Sequence, residues 1–372
     1  MAKLDRNLPY NELPLLPPSK KLDEDLEILK KLLLASRELA TVNANILRLP
    51  NPFMLINTIA LQEAKTSVEI ENIFTTEDEL YKAISDSVKE KDADLSTKEV
   101  LRYREALWAG HDELTKNGII QEETIKRVFQ MVKNAHTGFR PPHALVVIKR
   151  GPSEFKPGEV IYTPPRGKGI IEKLVKNLLD YMDDDVQFPE DPLLKMCIAH
   201  YQFEAIHPFQ DGNGRTGRIL NLLYLVQKKL LSHPILYLSK YIINNKEDYY
   251  FNLGAVTQRN AWKPWVLYML EAVCKTSAIT NDLIDQIIKQ MESTLSHGKK
   301  EIKWYNKEVN EALFYQPYIK PAVVGEALGK TSRTTLTKYM AELVEAGILS
   351  YKKNGKEVFY LNDSLIRILE EA

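Results

Sequence analysis

Apolar residues recur at helical spacing from Leu22 through "LDEDLEILKKLLLASRELATVNANI", which predicts a long first helix. A second predicted helix lies in "NPFMLINTIALQEAKTSVEIENIF" (51–74). Asn51 reads as its cap, Pro52 as its first helical residue, and Asn72 as the left-handed residue that ends it. "STKEVLRYREALWAGHDELTKNG" (96–118) opens on a cap-like Ser96 with Glu99 three residues later, and stops at Gly118. "DPLLKMCIAHYQFEAI" (191–206) is apolar nearly all round, the pattern of a buried helix. "RTGRILNLLYLVQKKLL" follows it as a second core helix, and helical spacing returns from Lys263 to Leu295. Strands are scarce. "HALVVIKR" (143–150) and "GEVIYTPP" (158–165), joined by the turn-rich "GPSEFKP", predict one β-hairpin on a helical body.

The two ends differ in style. Residues 1–20 are rich in proline and leucine and read as an extended arm lying on the body. "SHGKKEIKW" (296–304) is polar and reads as a linker. Beyond it come a helix at 305–315, "KPAVVGEALG", a turn, "SRTTLTKYMAELVEAGIL", and the hairpin "SYKKNGKEVFYL". That order predicts a winged helix-turn-helix. The expected fold class is therefore mainly α. The expected division is an N-terminal helical region at 1–110, a catalytic domain at 111–293 and a winged domain at 300–372.

Composition changes this picture little. With 372 residues and 44% hydrophobic content, two or three domains and a sizeable core are expected. Lys+Arg and Asp+Glu both number 50, so any nucleic acid or membrane partner would need a local patch. The two cysteines, Cys197 and Cys274, lie far apart and form neither a disulfide framework nor a zinc spacing. The N-terminus lacks an apolar run suited to a signal peptide, and no stretch reaches the roughly 18 apolar residues of a membrane span. A cytoplasmic location is the expectation.

The chemistry concentrates in "HPFQDGNGRTGR" (207–218), set between the two core helices. Backbone N–H groups around Gly212 and Gly214, at the start of a helix, make an anion site. Arg215 and Arg218 lie three apart on the first turn and would converge on the same anion, a polyphosphate rather than a lone phosphate. Asp211 fits among anions only with a cation between, so it points to Mg2+ held against phosphates. His207 can accept a proton near neutral pH. Phe209 would pack inward. Base, metal and phosphate cradle together indicate phosphoryl or nucleotidyl transfer to a hydroxyl. The alternative is a solvated turn. No G-x-x-x-x-G-K-[ST] occurs, so this is not a P-loop.

At every fixed position "HPFQDGNGRTGR" resembles the Fic-domain motif H-P-F-x-[DE]-G-N-G-R-x-x-R. The resemblance spans about residues 50–275. It implies a Fic-type helical bundle that transfers AMP from ATP to a Ser, Thr or Tyr hydroxyl of a target protein and releases pyrophosphate. His207 would be the base and Asp211 the Mg2+ ligand. Gly212, Asn213 and Gly214 would form the anion hole, with Arg215 on the β-phosphate and Arg218 on the γ-phosphate. Thr216 and Gly217 complete the nucleotide-binding turn. The hairpin would be a flap that pairs with the target, Val160, Ile161, Tyr162 and Thr163 supplying backbone contacts. In "DYYFNLGAV", Tyr249 and Tyr250 are candidates to lie beside the adenine, a core role being the alternative, and Thr257 would add a nucleotide contact.

"SVEIEN" resembles a second family motif, the inhibitory [ST]-x-x-x-E-[GN], as Ser67, Glu71 and Asn72. Ser67 and Glu71 lie four apart on one helical face. The resemblance implies that Glu71 pairs with Arg218 and displaces the γ-phosphate, a surface salt bridge being the alternative. In the tail, Arg333, Thr334, Thr335 and Lys338 would face a DNA groove, with Lys352, Lys353 and Lys356 on the wing. Twelve basic against ten acidic residues from Lys299 onward is a weak DNA footprint. Protein interaction is the other use of such a domain. A DNA-binding regulator with a nucleotide-sensing core, or a transferase using another nucleotide donor, stays open. A homodimer is the default assembly.

Overall fold

In the computed structural model, the described residues are 5–49, 52–84, 93–149, 158–329, 332–354 and 357–371. They form helices α1 (Leu26–Ile46), α2 (Pro52–Ile70), α3 (Glu77–Ile84), α4 (Leu95–Asn117) and α5 (Glu122–Lys133). Strands β1 (Ile148–Lys149) and β2 (Val160–Tyr162) come next, then α6 (Ile170–Asp183), α7 (Pro192–Ile206) and α8 (Asn213–Gln227). After these come α9 (Leu238–Asn244), α10 (Lys246–Arg259), α11 (Trp262–Glu301) and α12 (Lys307–Leu313). The chain ends with β3 (Tyr318–Ile319), α13 (Pro321–Ala327), α14 (Arg333–Glu345), β4 (Ser350–Asn354), β5 (Glu357–Leu361) and α15 (Asp363–Glu371). The fold is mainly helical, as the periodicity predicts.

Two compact units emerge. The first comprises residues 1–40, 102–234 and 238–276; the second comprises 41–101, 235–237 and 277–372.

In the first unit α7 is buried on every side, down to Lys195, His200 and Gln202, and it packs against α6 and α8. Asp191 caps it through the Leu193 amide, with Pro192 at the first helical position. Trp265, wholly buried, donates its indole N–H to the Cys197 carbonyl at 2.8 Å and so ties α11 to α7. Lys195 is also wholly buried and reaches Asp185 at 2.7 Å, which keeps its charge paired. Gly110 on α4 faces the Leu223 and Val128 side chains, where a Cβ would stand 2.6 and 2.7 Å from them. That close approach explains the glycine in the middle of a helix.

In the second unit α2 and α3 are joined by polar bonds. Glu77 accepts from Lys65 at 2.6 Å, and Gln62 donates to the Tyr81 hydroxyl at 2.9 Å. Asp78 accepts from Tyr318 at 2.6 Å, Lys82 at 2.5 Å and Lys352 at 3.0 Å. Partial burial pushes its carboxyl pKa up, but these donors outweigh that and hold it well below the usual carboxylate range. The C-terminal sheet runs in the order β3-β5-β4, antiparallel throughout, with α13, α14 and α15 in the same unit.

Four local readings need correction. Asp94, not Ser96, starts α4: its carboxylate accepts the Thr97 amide at 2.6 Å, and α4 begins two residues earlier than the Ser96 reading requires. The segment 296–304 is not a linker over most of its length, since α11 runs to Glu301 despite its glycine and lysines. The predicted hairpin strands shrink to two and three residues. Glu71 lies one residue past the end of α2 rather than inside its last turn. The proposed cap Asn51, the hairpin turn 151–157 and wing residue Lys356 lie outside the described residues. Asn72 and Gly118 do end their helices with φ of 62° and 77°.

Candidate active site

The loop between α7 and α8 is built by its own side chains. His207 ends α7 in the left-handed region, φ 50°, its amide still donating to Phe203 at 3.0 Å. Phe209 then buries fully and stacks on Phe129 with ring centroids 3.8 Å apart, which anchors the turn in the core. Asn213 clamps it: its Oδ1 accepts the Phe209 amide and its Nδ2 donates to the Phe209 carbonyl, both at 2.9 Å. The Asn213 side chain is thus committed to the loop, which leaves its backbone N–H as what it can offer an anion. Thr216, wholly buried, returns its hydroxyl to the Gly212 carbonyl at 2.9 Å.

Two glycines are required by geometry. Gly212 has φ 80°, and a Cβ there would meet the Lys133 side chain at 3.0 Å. At Gly217 a Cβ would stand 2.6 Å from Glu204 Oε1 and 3.0 Å from the Phe203 ring. So α8 can lie close against α7, with Arg215 on its first turn and Arg218, contrary to the sequence reading, on its second, because α8 starts at Asn213; the two are 3% and 1% exposed. Two guanidiniums at a helix start, beside backbone N–H groups, form a strongly anion-seeking end.

Asp211 stands at the mouth of this cradle with its side chain 70% exposed. It accepts from Lys133 at 2.6 Å and from the Gly212 amide at 2.6 Å. Desolvation pushes its pKa up, but Lys133, the Gly212 amide and Arg215 together outweigh it, so the carboxylate is held below its ordinary value. No cluster of three or more His, Cys, Asp or Glu suited to a metal occurs among the described residues. The donor set suits a Mg2+ bound by one carboxylate together with substrate phosphates and water. Lys133 was not foreseen; its position at the end of α5, 78 residues from Asp211, left no local trace.

The other histidine nearby is different in kind. His200 is 2% exposed and bonds the Tyr249 hydroxyl at 2.8 Å. Burial, then the charge of Arg218, pushes its pKa down to about 3. It is a neutral core group, whereas His207 is half-buried at the loop.

The flap pairs Ile148 with Tyr162 and Lys149 with Val160. Tyr162, 8% exposed, donates its hydroxyl to the Ala205 carbonyl at 2.8 Å, so β2 is tied to the end of α7. The arm holds its other side. Tyr10 donates its amide to Thr163 at 3.0 Å, Thr163 donates its hydroxyl to the Arg6 carbonyl at 2.6 Å, and Arg6 pairs with Glu159 at 3.0 Å. Val160 and Ile161 are half-buried. Tyr249 is buried in the core, 2% exposed, and Tyr250 is 43% exposed beside it. Thr257 bonds the Tyr201 hydroxyl at 2.9 Å. The first unit therefore brings together His207, the 211–218 cradle and the 160–163 strand. Ser67, Glu71 and Asn72 belong to the second unit. Ser67 is wholly buried, Glu71 exposed, and the amides of Glu71 and Asn72 bond back to Val68 and Glu69 at 3.0 and 2.9 Å.

A helical body with this loop between two core helices, and a short hairpin bonded to the helix end, is the Fic fold. A Fic family protein from Desulfovibrio desulfuricans G20 shares it at TM-score 0.57 and 20% identity, over 93% of this chain and 98% of that one. Fic-1 (residues 134–508) of C. elegans shares it at TM-score 0.52 and 18% identity, over 68% and 71%. In sequence, residues 94–225 match the Fic/DOC family, residues 29–112 the Fic/DOC family N-terminal region, and residues 286–365 the protein adenylyltransferase SoFic-like C-terminal domain. The chain belongs to the Fic/DOC family and carries those two flanking domains. Among its relatives are protein adenylyltransferase fic-1 of Caenorhabditis elegans and a probable protein adenylyltransferase of Aquifex aeolicus. The first is 27% identical over 41% of this chain and 28% of its own length; the second is 25% identical over 50% and 54%. The chain thus spans between about a quarter and a half of these curated relatives. No helix among the described residues is long and apolar enough to cross a membrane.

Proposed function

We propose that the protein transfers AMP from ATP to a Ser, Thr or Tyr hydroxyl of a target protein, with release of pyrophosphate. The carrying observation is the self-clamped loop that holds His207, Asp211, Arg215 and Arg218 around one helix start. The nest at Gly212–Gly214 and the two arginines would bind the triphosphate, Arg215 toward the β-phosphate and Arg218 toward the γ-phosphate. Asp211 would hold Mg2+, which supplies charge neutralisation at the phosphates when bound. His207 would take the proton of the target hydroxyl as it attacks the α-phosphorus. The flap would receive an extended target segment by strand pairing, and exposed Tyr250 is the better of the two tyrosines for a contact with the base.

Glu71 is proposed as a brake that pairs with Arg218 and so denies it to the γ-phosphate. Support comes from the motif and from the end of α2, where Ser67 is buried and Asn72 takes the left-handed turn. For the C-terminal domain, exposed Arg333, Thr334 and Lys338 at the start of α14 favour a DNA reading. Against it, the wing's Lys352 is spent on Asp78, which favours a protein-contact role.

The test is incubation of wild type, Glu71→Gly and His207→Ala with α-labelled ATP, Mg2+ and lysate. Label highest in Glu71→Gly and absent in His207→Ala is the expected result. Equal labelling by wild type and Glu71→Gly would sink the brake. No label in any variant would sink the adenylyl transfer and turn attention to other nucleotide donors, or to a DNA shift by the C-terminal domain.

A further inference from the structure

Four successive carbonyls leave the end of α7, those of Ala205, Ile206, His207 and Pro208. A helix C-terminus cannot satisfy such groups from within. Ala205 accepts from Tyr162 of the flap. The other three all accept from one residue, Arg140. Its amide donates to Pro208 at 2.9 Å, its Nε to His207 at 2.8 Å and its Nη2 to Ile206 at 3.3 Å. The same Nη2 reaches the Pro165 carbonyl at 2.5 Å, three residues beyond β2. Arg140 is 4% exposed.

We infer that Arg140 is a positioning residue that sets the separation between His207 and the strand that receives the target. The argument is geometric. A planar guanidinium spans two partners on different sides at once, which a lysine ammonium on a flexible stem does not do in a fixed geometry. Its charge also sits at the negative end of α7, where it is favoured. Removing it leaves the carbonyl of the base itself, and that of Pro165, to find new donors. His207 holds a left-handed conformation that is costly for a non-glycine residue, so the loop has reason to relax once the brace is gone. The nucleotide cradle, clamped separately by Asn213 and Thr216, has no bond to Arg140. Loss of the brace should therefore strike the hydroxyl-activating half of the site and spare the phosphate-binding half.

The inference rests on the adenylyl-transfer reading for its kinetic consequence, but not for its structural one. The experiment uses Arg140→Lys and Arg140→Gln in the full chain carrying Glu71→Gly, with α-labelled ATP, Mg2+ and a fixed lysate as acceptor. The expected result is a maximal labelling rate about 10–100-fold lower, since a misplacement on the order of 1 Å costs that much. The apparent KM for ATP and ATP binding measured by calorimetry should stay within about 2-fold of the parent. Hydrogen exchange should speed up at 158–165 and remain unchanged at 213–225. Lysine should not rescue, although it keeps the charge. Parental rate and flap exchange in Arg140→Lys would overturn the inference. So would ATP binding and rate falling together with exchange rising across both segments, the mark of a residue that only supports folding. If the Glu71→Gly parent itself labels nothing, the adenylyl-transfer reading has failed, and the exchange pattern still decides the brace.

Discussion

The turn at 209–216 is clamped by two side chains of its own, with Arg140 and Lys133 bracing His207 and Asp211 from outside, whereas in residues 158–165 every named side-chain support reaches far along the chain. In the loop, Asn213 grips Phe209 and Thr216 grips Gly212, each across four positions. In the flap, Glu159 meets Arg6, Thr163 meets Arg6 and Tyr10, Pro165 meets Arg140, and Tyr162 meets Ala205. Among the described residues the flap's own sheet is two strands of two and three residues, which is marginal alone in water. A cradle for phosphates gains from rigidity set locally, because its donors must stand ready before charge develops. A strand that must receive a partner gains from adjustable outside supports.

The sharpest way to break that comparison is Asn213→Ala. It removes two buried hydrogen bonds and strands the Phe209 amide and carbonyl, a loss on the order of 2–4 kcal/mol. Urea unfolding should show it, and labelling should fall by about 100-fold or more. If stability and labelling both survive, the loop is not self-clamped. Gly217→Ala is the intermediate case. The new Cβ must push Phe203 or Glu204, for about 1–3 kcal/mol. It should weaken ATP binding while leaving exchange at 158–165 unchanged, because it parts α8 from α7 without touching the flap's supports. Unchanged ATP binding would mean that the α7–α8 distance does not set the cradle.

The same contrast decides what was legible in the sequence. The course of the loop could be read because its own clamps lie inside twelve consecutive residues, at the glycines and Asn213; its outside braces could not. Helices with strong periodicity, such as 191–206, were equally legible. The flap's location was readable, but not its length or its supports. Arg140 lies 67 residues from His207 and Lys133 lies 78 from Asp211. A lone Arg or Lys in a loop or helix end gives no pattern to find. The polar run at 296–304 misled for a related reason. α11 continues there because Gly298 packs where a Cβ would stand 2.5 Å from the Tyr305 ring, a tertiary contact that overrides the residue's poor helix propensity.

Arg6→Ala is the gentlest probe. The Arg6–Glu159 pair has side chains 44% and 66% exposed, so it contributes about 0–1 kcal/mol and is screened by salt. Thermal unfolding should not move. Exchange at 158–163 should rise by roughly 2–3-fold at low salt, since opening of a weakly held segment responds to fractions of a kcal/mol. The parent in high salt should reproduce it. Labelling by Glu71→Gly should fall by no more than about 2-fold, because the arm keeps its backbone bond from Tyr10 to Thr163. The sign of that change matters more than its size. A fall means that the arm supports the strand from outside. A rise means that the arm sits where an incoming segment must pair, which would make residues 6–11 a competitor for the flap rather than a brace for it.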